Sequence, residues 1–374
     1  MSEARLTPHA SRLTRCVLIM AGGTGGHVMP ALAVAEALRG EGWRVVWLGT
    51  RAGMEAKLAV AKGFEMAWVK MAGVRGKGLL TKLLLPFNLL TAFWQAARAI
   101  FRFRPDVALG LGGYVAFPGG MMAALLNKPL VIHEQNAVAG LTNKILARLA
   151  DRVLLGLPLA AHSSLLTPRS SPPEWVGNPV RPEIAALAAP EQRLAGRTGP
   201  LRLLVIGGSL GARALNELLP KALALLPVER RPLIRHQSGA QQLDALTANY
   251  VNAGVVAEAL AFIEDMAAAL SWADLVICRA GALTVAEIAA AGLAALFVPF
   301  PFAVDDHQTA NASFLAGAGA AWLMQQKDLS PEKLAAWLAG LTRAELLERA
   351  VKARALAKPE ATARVAAVVK ELAR

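Results

Sequence analysis

The 374-residue sequence predicts an α/β protein built from two Rossmann-like, doubly wound domains that face each other across a cleft. Three observations carry that reading. Short apolar runs alternate with alanine-rich helical patterns along the chain, which is the mark of parallel sheets covered on both faces. A strand, a glycine turn and a helix occur twice in matching form, as "VLIMAGGTGGH" at 17–27 and "LLVIGGSLGAR" at 203–213. Between the halves, "TPRSSPPEWVGNPVRPE" (167–183) has five prolines and little periodicity, as a linker should.

The predicted strands, in order, are Val17–Met20, Arg44–Leu48, Val107–Gly110, Leu130–His133 and Arg152–Leu155, then Leu203–Ile206, Leu233–His236, Leu275–Cys278 and Ala295–Val298. The clearest helical patterns are Pro30–Arg39, Asn143–Ala150 and Val285–Ala291. On this pattern residues 1–14 are a flexible tail and 15–175 the first domain. Residues 176–354 form the second domain, and a last helix around 355–374 rejoins the first.

Forty Lys and Arg against 27 Asp and Glu leave a formal charge of +13, which points to an acidic partner. A phosphorylated substrate, an anionic membrane surface and nucleic acid all qualify. With two Tyr and no RNA- or DNA-binding module, nucleic acid has only the charge in its favour. Cys16 and Cys278 each lie in an apolar run and read as buried thiols of a reducing compartment. The apolar run after the polar N-terminal stretch is too short for a secretory signal or a membrane span.

The loop Gly22, Gly23, Thr24, Gly25, Gly26 precedes a helix, where bare amides and the helix dipole suit an anion, and His27 stands at its tip. A tight turn that binds nothing is the plain alternative. No acidic residue closes the Arg44–Leu48 run, so the ribose-holding acid of a nicotinamide enzyme is missing. "LGLGGYVAFPGG" (109–120), with Gly113 and Tyr114, and "VIHEQNAVAGLTNK" (131–144), with His133, Glu134, Gln135 and Asn136, end strands of the same half. They line one cleft wall or are glycine-dependent turns with a capped helix.

In the second half, Thr284 and Glu287 of "RAGALTVAEIAAAG" (279–292) have capping-box spacing, a complete structural account of Glu287. The functional alternative is a carboxylate that accepts from a ribose diol. "PFAVDDHQTAN" (301–311) gathers Asp305, Asp306, His307 and Gln308 at a strand end, suited to sugar hydroxyls or to a surface turn. Two Asp and one His are a thin set for a metal. In "RGKGLLTKLLLPFNLLTAFW" (75–94), Leu79, Leu83, Phe87, Leu90 and Trp94 share a helical stripe beside Arg75, Lys77 and Lys82. Pro86 breaks or kinks any helix through it, and the stretch is too interrupted to span a bilayer. It is either an amphipathic core helix or a surface that dips into an anionic membrane interface.

Seven motifs occur in order: "GGTGGHVMPALAVAEAL", "GGYVAFPGG", "HEQNAVAGLTNK", "GNPVR", "GGSLGAR", "RAGALTVAEIAAAG" and "DDHQTANA". Together, from about Val17 to beyond Ala320, they resemble the MurG family of peptidoglycan glycosyltransferases. The resemblance implies the GT-B glycosyltransferase architecture. It also implies an inverting transferase without metal or cofactor, which moves GlcNAc from UDP-GlcNAc to the 4-OH of a lipid-linked muramyl-pentapeptide (lipid I to lipid II).

Carried over by motif, Ser209 and the amides of 207–211 take the donor diphosphate, Glu287 the ribose, and Arg181 with the backbone near Ile263 the uracil. Gln308, His307 and Asn311 meet GlcNAc, beside Arg279, Ala282 and Leu283, with Thr24 and Asn136 reaching the donor from the first half. The resemblance makes Glu287 both helix cap and ribose ligand. The acceptor diphosphate falls to Gly22–Gly26, Gly113 and Tyr114. His27 is the candidate base for the 4-OH, since an imidazole titrates near neutrality; Glu134 competes. The resemblance also favours the membrane reading of 75–94. It implies a peripheral protein on the cytoplasmic face of the plasma membrane, with other cell-wall synthesis proteins as further partners. A nonhydrolysing UDP-GlcNAc epimerase of the same plan, a nicotinamide oxidoreductase and a noncatalytic binding protein are the alternatives.

Overall fold

The computed structural model describes residues 14–71, 85–160, 171–208 and 211–373. Each predicted apolar run is a strand. In the first half these are β1 (Cys16–Ala21), β2 (Arg44–Gly49), β4 (Val107–Gly112), β5 (Leu130–Glu134) and β6 (Arg152–Leu155), with β3 (Glu65–Trp68) and β7 (Glu174–Trp175) in addition. In the second they are β8 (Arg202–Ile206), β9 (Leu233–Gln237), β11 (Leu275–Cys278) and β12 (Ala294–Phe297), with β10 (Glu258–Leu260) and β13 (Trp322–Leu323) in addition.

The four strands that the apolar pattern does not predict are the four sheet edges. The strand orders are β3-β2-β1-β4-β5-β6-β7 and β10-β9-β8-β11-β12-β13. An edge strand is covered on fewer sides, and "EMAW", "EW", "EAL" and "WL" are short and only partly buried. β7 also shows that the proline-rich stretch is more than a tether, since its Glu174–Trp175 pairs in parallel with β6.

All the pairings are parallel, and in both sheets the order reverses beside the first strand of the half. Chain direction therefore leaves a crevice at the carboxyl ends of β1 and β4, and another at those of β8 and β11. Open α/β sheets bind ligands at such switch points. The glycine motifs stand at both.

The helix after β1, Gly25–Gly40, starts five residues before the predicted Pro30, because the glycines themselves form its first turn. The helix after β5 is Leu141–Ala147. The last helix, Ala361–Leu372, buries Val365, Ala366, Val368 and Val369 in the core of the first half. Lys370 pairs with Glu41 at 2.7 Å, and Arg364 with Glu174 at 2.7 Å. Cys16 and Cys278 are both buried and reduced.

Candidate active site

The first wall is built at the β1/β4 switch point. β1 runs into Gly22, and Gly113 (φ +79°) lies so close to the Gly22 carbonyl that a Cβ there has no room. The Tyr114 ring is the nearest group to Gly23, 3.6 Å from where a Cβ would stand. Glu55 has no exposed surface. Its carboxylate accepts from the Gly23 amide at 3.2 Å and from the Thr50 amide and hydroxyl, each at 2.9 Å. The loop is thus tied to the end of β2, and the Gly23 N–H is committed. Gly25 and Gly26 open the helix, where the first N–H groups have no acceptor within it. Thr24 is exposed at the N-cap and makes no side-chain cap bond.

His27, in the first turn of that helix, fills the space over Gly112, whose Cβ position (φ +103°) is 2.9 Å from the ring. Its Nδ1 meets Gln135 Oε1 at 3.0 Å. Gln135 Nε2 lies 3.2 Å from His133 Nδ1, and His133 Nε2 lies 3.0 Å from the Gly177 carbonyl. Burial holds His133 down at about 4, against weaker support from that carbonyl and from Glu134.

Glu134 is 1% exposed, and both its oxygens are taken. Oε1 accepts from the Asn136 amide (3.0 Å) and side chain (3.2 Å). Oε2 accepts from the Gly140 amide (3.0 Å) and Asn143 Nδ2 (2.9 Å). It shapes the 134–143 loop from within.

The second wall stands at the β8/β11 switch point. β8 leads through Gly207 and Gly208, and Gly211 leads to the helix Arg213–Ala224. Ser209 lies outside the described residues. After β11, the helix Ala282–Ala291 begins at Ala282 with Gly281 as N-cap and no side-chain cap bond. The expected capping box is therefore absent: Thr284 and Glu287 sit inside the helix, because the turn forms three residues earlier than the pattern predicts. Glu287 is bound instead by Arg181, Nε at 2.9 Å and Nη2 at 2.8 Å, both on Oε1. Burial pushes the Glu287 carboxyl up, and Arg181 offsets part of that shift.

Gln308 turns its carbonyl oxygen to the amides of Ala280 (3.2 Å) and Phe300 (2.9 Å). Its Nε2 is the polar atom left for a ligand. His307 follows Asp305 (φ +53°) and Asp306 (φ +48°), two successive non-glycine residues in the left-handed region. Such strain gathers where a loop is held for use. Arg279 donates to the carbonyls of Val298 (3.0 Å) and Pro299 (3.1 Å) and to Gln326 Oε1 (2.7 Å), so it braces the loop after β12. Ile263 is buried just after β10. Ala282 and Leu283 form the first turn after Gly281.

The walls touch through Asn311, which has no exposed surface. Its Oδ1 accepts from the Ala137 amide at 2.9 Å, and its Nδ2 donates to Asn136 Oδ1 and the Ala280 carbonyl, each at 3.1 Å. Every polar atom of the Asn311 side chain is spent on protein in this arrangement. Asn178 Nδ2, from "GNPVR", adds a bond to the Gln135 carbonyl at 3.0 Å. Glu55, Gln135 and Asn178 carry no role in the motif assignments. Gln135 stood in the polar run at 133–136, but no motif marks Glu55, which ties nearby Thr50 to the distant Gly23.

Apart from the cleft, Pro86 is the second residue of the helix Leu85–Phe103, a position where its missing N–H costs nothing. Phe87, Leu90, Trp94 and Phe101 are 68%, 66%, 60% and 65% exposed. The stripe is therefore not a core face at these positions. Arg75, Lys77, Leu79, Lys82 and Leu83 lie outside the described residues. Among the described residues, no helix is long and apolar enough to cross a membrane.

Residues 17–155 match the glycosyltransferase family 28 N-terminal domain and 202–370 its C-terminal domain. A UDP-N-acetylglucosamine–N-acetylmuramyl-(pentapeptide) pyrophosphoryl-undecaprenol N-acetylglucosamine transferase of Cupriavidus metallidurans is 61% identical, over 96% of this chain and 98% of its own. The transferase of the same name from Thiobacillus denitrificans is 62% identical, over 96% and 99%. The crystal structure of Acinetobacter baumannii MurG superposes with a TM-score of 0.83 at 46% identity, over 96% and 99%. The calicheamicin glycosyltransferase CalG4, at 18% identity and a TM-score of 0.65, shares the fold. The chain belongs to glycosyltransferase family 28 and, within it, to the MurG group of GT-B enzymes.

Proposed function

We infer that this chain transfers GlcNAc from UDP-GlcNAc to the 4-OH of MurNAc in undecaprenyl-pyrophosphoryl-MurNAc-pentapeptide, converting lipid I to lipid II. One observation carries the reading. The polar side chains and glycine loops of both halves converge on the carboxyl ends of two switch-point strand pairs, in a chain that is 61% identical to transferases named for this reaction.

The donor lies on the second wall. The loop 207–211 and the start of the helix Arg213–Ala224 neutralise the diphosphate. Arg181 and the backbone at Ile263 meet uracil, Glu287 the ribose, and Gln308 Nε2 with His307 the GlcNAc. Asn311 pins the two walls and orders Asn136. On the first wall, the helix start at Thr24–Gly26, with Gly113 and Tyr114, takes the acceptor diphosphate, while Glu55 keeps Gly22 and Gly23 in place.

His27 is the base, because the carboxylate of Glu134 is saturated by four donors within its own loop. The acceptor 4-OH gives its proton to His27 as its oxygen attacks the anomeric carbon. The bond from that carbon to the UDP oxygen breaks on the opposite face, with inversion, and the electron pair leaves on UDP. Stabilising the departing diphosphate is the main electrostatic task of the second wall.

The exposed face Phe87, Leu90, Trp94 and Phe101, with Arg98 and Arg102 on the same helix, supports peripheral attachment to an anionic membrane surface. An acceptor with a polyprenyl tail requires such attachment, and it puts the enzyme on the cytoplasmic face. The test uses purified protein, UDP-GlcNAc and a lipid-linked muramyl-pentapeptide, following UDP release and the sugar on the lipid. Disaccharide-lipid formation is expected. UDP-GlcNAc turned to its epimer without transfer would overturn the reading.

A further inference from the structure

We propose that His133 and Gln135 are positioning residues that hold the neutral His27 ring with its proton on Nδ1, so that the Nε2 lone pair faces the acceptor hydroxyl. The inference rests on His27 being the base.

It follows from which atoms can donate. The Gly177 carbonyl only accepts, so the His133 nitrogen 3.0 Å away, Nε2, carries a proton. In the neutral ring, Nδ1 of His133 is then an acceptor. The group 3.2 Å from it must be the NH2 of Gln135, which also lies 3.3 Å from the His133 carbonyl. Flipping the amide would set its oxygen against both acceptors. The Gln135 oxygen therefore faces His27, and the nitrogen it meets at 3.0 Å, Nδ1, must donate. The neutral ring has one proton, so Nε2 keeps its lone pair. That nitrogen has no partner among the described residues.

The relay is dry where it must be. His133 has no exposed surface and Gln135 is 1% exposed, so water does not compete for the amide. Burial also keeps His133 neutral at physiological pH. The nearby carboxylates are turned elsewhere, Glu134 to its own loop and Glu55 to Thr50 and Gly23. A free imidazole prefers its proton on Nε2, which would present a donor to the acceptor hydroxyl; the relay reverses that preference. When Nε2 takes the proton, the Gln135 oxygen still accepts from Nδ1, so the imidazolium keeps its orientation.

The test reads the tautomer directly, by 15N NMR of histidine-labelled full-length protein, with kcat and KM from the transfer assay. Wild-type His27 is expected with the proton on Nδ1. Gln135→Glu, which keeps an acceptor at Nδ1, is expected to retain that tautomer. Gln135→Met is expected to move the proton to Nε2 and lower kcat at least about tenfold, with KM for UDP-GlcNAc little changed. Wild-type His27 protonated on Nε2, or a Gln135→Met protein still protonated on Nδ1, would overturn the relay whatever the base. If His27→Gln keeps the wild-type kcat while wild-type His27 carries its proton on Nδ1, the base assignment fails and takes the catalytic role of the relay with it.

Discussion

Arg181 and Glu287, 106 residues apart, meet through two nitrogens on one carboxylate oxygen, at 2.9 and 2.8 Å. Oε2 has no protein partner among the described residues. Arg181 thus aims a buried carboxylate whose second oxygen can take a ribose diol. Loss of a charge-assisted hydrogen bond is worth about 1.5–3 kcal/mol, so Glu287→Ala is expected to raise KM for UDP-GlcNAc about ten- to a hundredfold. kcat should change less, because the ribose is bound equally in ground and transition states. Steady-state kinetics decide it; an unchanged KM in a folded variant removes Glu287 from the donor site.

Asn311 joins the walls with two bonds to the first, at Ala137 and Asn136, and one to Ala280 on its own side, and it has no exposed surface. Asn311→Ala strands the Ala137 amide and the Ala280 carbonyl, at a cost of about 1–3 kcal/mol. Asn311→Asp, similar in shape, sets an oxygen against the Ala280 carbonyl and Asn136 Oδ1 and should be no better. Urea unfolding measures the loss. Full stability in both variants would mean that the walls are held by other contacts.

Stability should fall as the pH drops below about 6.5. Burial holds His133 at about 4 and His236 at about 3, so both are neutral in the fold. Between those values and the ordinary imidazole range, the unfolded chain binds protons that the folded chain does not. The contribution is complete above the ordinary range and is lost as pH falls, with a slope of up to about 2.7 kcal/mol per pH unit for two sites. Asp274 adds to this lower down. Burial would raise its carboxyl, but Arg197, the Arg202 amide and Arg343 together hold it below the carboxylate range, so its contribution is lost in acid. Glu287, raised by burial, has the opposite sign there. Unfolding free energies at pH 7, 6 and 5 test the slope; a flat profile contradicts the buried neutral histidines.

Phe87, Leu90 and Trp94 are each at least 60% exposed, so changing all three to serine removes little from the core. Binding to vesicles containing phosphatidylglycerol is expected to fall at least about tenfold. The unfolding free energy should stay within about 0.5 kcal/mol for each substitution. Undiminished vesicle binding would sink the attachment face.

The amino-acid sequence by itself determined the strand–helix alternation, the paired glycine turns and the central strands of both sheets. Those depend on local period, on side-chain volume and on backbone freedom at glycine. The motifs lie at strand ends, where the two walls are built, because each follows a strand. The tertiary structure decided the rest. Edge strands such as Glu65–Trp68 and Trp322–Leu323 are four and two residues long and only partly buried, too short for a local period to mark them. Thr284–Glu287 reads locally as a helix cap, yet the chain starts that helix at Ala282 and gives Glu287 to Arg181. Glu55, Gln135 and Asn311 acquire their roles from partners far off in the chain: Gly23, His27 and Ala137 lie 32, 108 and 174 residues away. A buried polar group must find a partner wherever the fold brings one. That choice is made by three-dimensional proximity, and no local pattern encodes it.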